Sequence, residues 1–207
     1  MGNTFVMLIW AGAVLTVTGL AFYRPILYAF GASDVTFPYA ASYIKIYLLG
    51  TLFVMITLGM NPFINSQGFG NTGMFTILIG AVLNIILDPL FIFGFHMGVR
   101  GAAVATIISQ FCSTVWGLRF LCGKKAVLNL KKSAFKISWK RVRDIVSLGM
   151  SGFFMAFTNS LVQVVCNATL QTWGGDIYVG VMTVLNSVRD IFTMPESVLR
   201  IQNGIAD

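Results

Sequence analysis

An acid and a proline lie side by side in one of the most apolar stretches of this sequence, GAVLNIILDPLFIFGF, residues 80–95. The acid is Asp88, the proline is Pro89, and Asn84 lies four residues before the acid. Residues four apart share one face of an α-helix, so the amide of Asn84 can reach the carboxyl group of Asp88. Because proline has no N–H, the carbonyl of Ile85 loses its helical hydrogen-bond partner. The pattern therefore gathers carboxylate, amide and carbonyl oxygens.

The composition indicates the environment in which these oxygens would lie. The 207-residue chain is 57% hydrophobic and 10% charged, with a mean hydropathy of +0.81, whereas soluble domains carry about 25% charged residues. It is therefore expected to be an integral membrane protein. An ionised Asp at the centre of a membrane helix costs about 2.5–3.5 kcal/mol on insertion scales. That cost falls if the carboxyl group is protonated, binds a cation or faces a wet cavity, as in an ion-coupled transporter.

A hydroxyl would complete such a site, and Thr106 on the next apolar segment is the candidate. A purely structural hydrogen bond between Asn84 and Asp88 is the alternative. Interhelical polar contacts in membranes contribute only about 0.6 kcal/mol on average, which hardly compensates for an ionised Asp. The residues therefore favour a functional site over a structural contact.

A stripe of carboxamides is the second polar feature. Asn159, Gln163 and Asn167 recur every four residues and so lie on one helix face. The stripe predicts either an interior substrate cavity or a hydrogen-bonded helix contact. Other chemistry is sparse: the single His96 and three isolated cysteines show no metal or disulfide spacing. Intramembrane enzymes need paired acids, a metal cluster or a nucleophile with its base, so enzymatic activity is not expected.

Six apolar segments must position these residues. Each has at least 20 residues, enough to cross about 30 Å of hydrocarbon as an α-helix. The first segment lacks the cationic start and short core of a signal peptide, and we expect it not to be cleaved. The fold class predicted is all-α, a polytopic membrane bundle with six transmembrane helices at 3–30, 38–65, 73–95, 99–122, 141–171 and 177–199.

Positive charge is concentrated in one connection. Nine of the fourteen Lys and Arg residues lie between Arg119 and Arg143. By the positive-inside rule this connection is cytoplasmic, and the turns HMGVR and GGD lie outside. Arg100 on an outer turn is an exception, as are Arg24 and Lys45 near outer helix ends. Several aromatic residues suit the interfacial belts: Trp10, Tyr23, Tyr28, Tyr39 and Tyr43.

The basic connection also divides the chain. The sequence predicts a four-helix unit at 1–122, a basic cytoplasmic loop at 123–140 and a two-helix unit at 141–207. The net charge of +7 is explained by this loop, so membrane lipid is an expected partner and nucleic acid is not. The fourth segment is rich in small residues that predict a tight seam against the third: Gly101, Ala102, Ala103, Ala105 and Ser109.

The stretch NPFINSQGFGNTGMFTILIGAVLNIILDPLFIFGFHMGVRGAAVATIISQ, residues 61–110, resembles the multidrug and toxin extrusion (MATE) family. The portion LNIILDPLFIF followed by GVRGAAVATIISQ is the specific part. The later run GGDIYVGVMTVLNSVRDIFTMP is similar to the drug-exporting bacterial branch. The resemblance covers about residues 20–195.

The resemblance implies part of a two-lobe, twelve-helix transporter of a bacterial inner membrane. Such transporters export small amphipathic cations in exchange for Na⁺ or H⁺, with no other cofactor. The six segments would be family helices three to eight, so further helices or a second chain would complete the fold. The resemblance also implies that Asn84, Asp88 and Thr106 belong to the N-lobe cation site, whose partner acid on helix one is not in this chain. A lipid-linked oligosaccharide flippase of the same superfamily and an inactive truncated remnant are the alternatives.

Overall fold

The computed structural model describes residues 1–123, Ala126 and residues 139–203, with side chains as far as residue 193. The predicted basic loop at 123–140 lies mostly outside these residues. The described secondary structure is helical throughout, which confirms the all-α class. Within these described ranges, five helices are long and apolar enough to cross a membrane. The elements are α1 (Gly2–Ala29), α2 (Phe37–Asn65), α3 (Gly70–Pro89), a π-helical turn (Leu90–Gly94), α4 (Val99–Leu121) and α5 (Trp139–Asn203).

The first four predicted segments match helices to within three residues when the π-helical turn is counted with α3. The two later predicted segments both fall within α5, and a kink at Gly175 separates them, within the predicted turn WGGD. The stretch WGGD between them is helical except at Gly175, where φ is +65° and ψ is −166°. Glycine adopts a positive φ without a steric penalty, so a single residue can redirect the chain. The parts of α5 before and after Gly175 line the same cavity and so lie side by side as a hairpin.

Helices α2 and α4 form the centre of the four-helix unit: α2 packs on α1, α3 and α4, and α4 packs on α2, α3 and the π-helical turn. A Cβ added to Gly101 would lie 2.7 Å from the carbonyl oxygen of Phe91 in the π-helical turn. The predicted seam against the third segment is therefore confirmed, and at this point it joins backbone to backbone. Four of the five small residues predicted for it are buried: Gly101, Ala103, Ala105 and Ser109.

Hydroxyl groups join the neighbouring helices across these seams. The hydroxyl oxygens of Thr57 and Thr114 are 2.7 Å apart, and that of Thr114 lies 3.0 Å from the carbonyl oxygen of Phe53. The hydroxyl of Ser113 donates to the carbonyl of Thr76 at 2.8 Å. Hydrocarbon supplies no alternative partner for such groups, so these contacts fix the register of α2, α3 and α4.

Thr114→Val is expected to lower the midpoint of thermal unfolding in detergent, by a destabilisation of about 0.6–1.7 kcal/mol. The change keeps the side-chain shape and removes the hydroxyl shared with Thr57. Thr18→Val is the matched control, because Thr18 is exposed and its hydroxyl contacts only carbonyls of its own helix, those of Val14 and Leu15. Equal midpoints for the two variants would contradict a stabilising role for the Thr57–Thr114 contact.

Large apolar side chains are exposed on the outer faces of the helices. Val17 is 67% exposed, Ile85 is 72% exposed and Phe154 is 57% exposed. Apolar surface this extensive requires an apolar environment, because soluble monomers rarely expose contiguous patches of more than a few hundred Å². The helices therefore present the surface that a bilayer would cover.

Candidate functional site

The three residues predicted for a cation site meet at the seam between α3 and α4. The side-chain nitrogen of Asn84 donates to Asp88 Oδ1 at 3.1 Å and lies 3.4 Å from Thr106 Oγ1. All three residues are half-buried. Asn84 and Asp88 meet because they are one helical turn apart, and Thr106 reaches them because buried Gly101 and Ala105 let α4 approach closely.

The backbone after the acid departs from α-helical geometry. Helix α3 ends at Pro89 and continues as the π-helical turn, in which the N–H of Phe95 donates to the carbonyl of Leu90 at 3.0 Å. Because Pro89 has no N–H, the carbonyl of Ile85 has no α-helical donor. Turns of this kind occur frequently at functional sites. Pro89 therefore interrupts the helical hydrogen bonds, as predicted, and leaves the carbonyl oxygen of Ile85 available in the same helical turn as Asp88.

The hydrogen-bond donors of Asn84 and Thr106 already have acceptors, whereas oxygen lone pairs of the site remain for a cation. The hydroxyl of Thr106 donates to the carbonyl of Ala102 at 2.9 Å. The amide of Asn84 uses its nitrogen in both of its contacts with Asp88 and Thr106, and neither contact uses its oxygen. Hard cations bind carboxylate, carbonyl and amide oxygens, and a carboxyl group can take up a proton instead. The arrangement is therefore suited to a small positive ion.

Tyr43 of α2 is a further member of this group. Its side chain lies beside Thr106 and within electrostatic range of Asp88, and its ring stacks on Tyr47 with the centroids 5.7 Å apart. The sequence analysis assigned Tyr43 to an interfacial aromatic belt and missed this position. Tyr43 and Asp88 are far apart in the chain, so only the packing of α2 on α4 reveals their proximity. The site therefore draws on three helices.

The carboxamide stripe lies on a cavity within the α5 hairpin. Asn159, Gln163 and Asn167 line a cavity of about 680 Å³ between the two parts of α5. This volume lies within the range of about 300–1,000 Å³ typical of small-molecule sites. The role of the stripe in binding substrate stays a prediction. The part of α5 after Gly175 contributes Met182, Asn186, Arg189, Asp190 and Thr193.

A third polar group connects the four-helix unit to α5. The hydroxyl of Ser33, in the turn after α1, donates to Asp176 Oδ2 at 2.8 Å, and Gln171 donates to Oδ1 of the same carboxylate at 3.0 Å. A Cβ on Gly31, which has φ +89°, would lie 3.1 Å from the carbonyl oxygen of Asn167. Of the described helices, α1 alone packs against α5. The two units therefore meet at the end of the bundle opposite the basic loop.

Known proteins resemble this chain in sequence and in fold. The family model described as MatE matches residues 1–90. The multidrug export protein MepA of Staphylococcus haemolyticus is 30% identical over 163 residues, which cover 79% of this chain and 36% of that protein. The chain therefore spans a little over a third of the length of the curated relatives it matches. These relatives are described as multidrug export proteins.

Solved transporter structures align with most of the chain. The inward-facing conformation of a multidrug resistance MATE family transporter aligns with a TM-score of 0.80 and 25% identity, over 86% of this chain and 41% of that one. The outward-facing conformation of a MATE family transporter gives a TM-score of 0.77 over 90% of this chain and 42% of that one. Its identity is 24%, so it supports the fold alone.

Proposed function

Since this chain is a partial MATE-family sequence with several membrane-spanning helices, we propose that it forms part of a cation-coupled antiporter. The complete transporter would export drugs and other toxic organic cations in exchange for Na⁺ or H⁺. The observation that carries the proposal is the meeting of Asn84, Asp88 and Thr106 at the α3–α4 seam. A carboxyl group held there by neutral partners can exchange a small cation without dismantling the fold.

The coupling ion acts on the hydrogen bonds of this seam. With the carboxylate of Asp88 ionised, the nitrogen of Asn84 faces it, as in the described arrangement. When Asp88 takes up a proton or Na⁺, the amide of Asn84 turns its oxygen inward, to accept from the protonated carboxyl or to bind the ion. The lone pairs of Thr106 and the carbonyl of Ile85 supply further oxygens. Occupancy therefore changes which hydrogen bonds link α3 to α4.

Antiport requires the ion and the drug to favour opposite facings of the transporter. A ligand shifts such an equilibrium only by its difference in affinity for the two states. The ion acts at the α3–α4 site, and the drug acts at the α5 cavity with its carboxamides Asn159, Gln163 and Asn167. Met155 and Met182 also line that cavity. Amide groups beside polarisable thioethers suit amphipathic compounds of varied shape.

Alternating access requires contacts that form in only one facing. The contact of Ser33 with Asp176 joins the two units at the end opposite the basic loop. We assign this contact to the inward-facing state, in which the outer ends close against each other. Separation of the units at this end would cost only a few polar contacts, since α1 alone packs against α5 among the described helices.

Ser33→Cys combined with Asp176→Cys is expected to give a transporter that a short thiol crosslinker arrests and a reductant restores. The pair would be placed in a complete transporter with Cys112, Cys122 and Cys166 replaced. Drug efflux before and after crosslinking is the measurement. The 2.8 Å contact predicts efficient crosslinking, because it needs no movement of either turn.

The control for this crosslink moves one cysteine by a single residue. Asp34→Cys with Asp176→Cys uses a neighbouring side chain that is exposed and contacts Tyr28 instead of α5. It is expected to crosslink less. Full efflux by a transporter whose Ser33→Cys and Asp176→Cys thiols are quantitatively crosslinked would contradict the assignment of this contact to one facing.

A further inference from the structure

Two cations lie within apolar helices at the end of the bundle opposite the basic loop. Arg24 is five residues before Ala29, where α1 ends, and Lys45 is eight residues after Phe37, where α2 begins. At 1.5 Å per residue these positions are about 8 and 12 Å inside the helix ends. Both residues are exposed. Cations at such depth on an apolar surface require a compensating group.

Both cations converge on the ring of Tyr23. The amine of Lys45 lies 4.6 Å from the ring centroid, and Nε of Arg24 donates to the Tyr23 hydroxyl at 3.2 Å. A ring attracts cations through its quadrupole but contributes no negative charge. Tyr23 therefore brings two positive charges to one place and neutralises neither.

No carboxylate in the described part of the chain forms an ion pair with either cation. The ion pair found there joins Arg189 to Asp190 at 3.6 Å. Asp34, in the turn that follows α1, accepts a hydrogen bond from the hydroxyl of Tyr28 at 3.0 Å. Within the described part of the chain, Arg24 and Lys45 therefore present two positive charges without an acidic partner.

Neighbouring rings indicate the level of the membrane at which a compensating anion would lie. Phe37 stacks on Tyr28 with the centroids 5.0 Å apart and on Tyr23 with the centroids 6.4 Å apart. Aromatic residues concentrate at the membrane–water interface, and long cationic side chains extend to the same level. The anion available at this level is the lipid phosphate. Guanidinium and ammonium groups both form strong charged hydrogen bonds with phosphate.

We propose that Arg24, Lys45 and Tyr23 form a binding site for the phosphate of an anionic phospholipid. Arg24 supplies the N–H donors, Lys45 supplies a second positive charge, and the Tyr23 ring holds the two together. An anionic lipid suits the pair better than a zwitterionic one, because a choline group would add a third positive charge beside it.

Native mass spectrometry of the full chain in nanodiscs of mixed phosphatidylglycerol and phosphatidylcholine tests this site. Arg24→Gln with Lys45→Gln is expected to lose one tightly bound phosphatidylglycerol, with an affinity weaker by roughly 10- to 30-fold. Arg100→Gln is the matched control, because it removes an exposed cation from the start of α4, at the same end of the bundle, and it is expected to keep the lipid. Arg24→Lys with Lys45→Arg keeps both charges and is also expected to keep it.

Two outcomes of the measurement of bound lipid would overturn the proposal. One is retention of every phosphatidylglycerol by the double glutamine variant. The other is an equal loss by the charge-preserving double variant, because the effect would then come from a change in structure and not from charge. Inorganic phosphate added to phosphatidylcholine nanodiscs separates a lipid from a free anion. If it raises the thermal unfolding midpoint as much as phosphatidylglycerol does, the site takes free phosphate and the lipid assignment is wrong.

Discussion

Asp88→Asn, placed in a complete transporter that contains this chain, is expected to abolish ion-coupled drug efflux. Asparagine has the shape of aspartate and can still bond to Asn84, so the α3–α4 seam is kept. The asparagine side chain carries no negative charge and takes up no proton, so neither Na⁺ nor H⁺ is expected to bind at this position. The measurement is efflux of a fluorescent organic cation under an imposed Na⁺ gradient and, separately, an imposed pH gradient.

Thermal unfolding separates this loss of coupling from loss of fold. Removal of an acid that costs about 2.5–3.5 kcal/mol to insert when ionised is expected to leave the unfolding midpoint unchanged or higher. Asp144→Asn is the matched control, since Asp144 is an exposed acid at the start of α5, and it is expected to keep full efflux. Undiminished efflux with the same ion dependence in Asp88→Asn would refute the assignment of the coupling site.

Gly101→Ala is expected to cause the second large loss, through the scaffold of the site and not through its chemistry. The new Cβ would lie 2.7 Å from the carbonyl oxygen of Phe91 and 2.8 Å from its carbonyl carbon. Backbone atoms cannot rotate away as a side chain can, so α4 must move off the π-helical turn. We expect a destabilisation of about 1–3 kcal/mol, typical of overpacking. Thermal unfolding in detergent measures it, and efflux is expected to fall because Thr106 moves with α4.

Gly180→Ala is the control, and it is expected to raise the stability that Gly101→Ala lowers. No heavy atom lies within 4 Å of a Cβ added at Gly180, and replacing glycine by alanine inside a helix stabilises it by roughly 0.5–1 kcal/mol. The two substitutions are chemically identical, so only the surroundings differ. If Gly101→Ala proves as stable as Gly180→Ala, the close approach of α4 to the π-helical turn is not a determinant of stability.

The parts of the structure that were predictable from the sequence depend on local spacing. Helix spans follow from the length of apolar runs, because a membrane helix must satisfy its own backbone. Asn84 and Asp88 follow from their separation of four residues, and the interrupted helix follows from Pro89. The seam followed from small residues on α4, since Gly101 can approach a neighbour only where side chains are absent.

The parts that were missed depend on packing between distant segments. Tyr43 reads as an interfacial aromatic residue, and only the contact of α2 with α4 places it beside Thr106. Ser33 and Asp176 both lie next to turns, and nothing in their sequence surroundings indicates that those turns meet. The turn at WGGD was predicted, but the sequence did not single out Gly175 as the residue with the non-helical backbone.

The π-helical turn makes the length of one segment as important as its composition. Its hydrogen bonds span five residues, as from Phe95 to Leu90, so it accommodates one residue more than an α-helical ladder would. Deleting one residue there would close the turn to α-helical spacing and shorten the chain that returns from Phe91 to Gly101. Gly101 would then no longer face Phe91. Substitution of the exposed Phe93 is therefore expected to be tolerated better than insertion or deletion of a residue between Pro89 and Gly101.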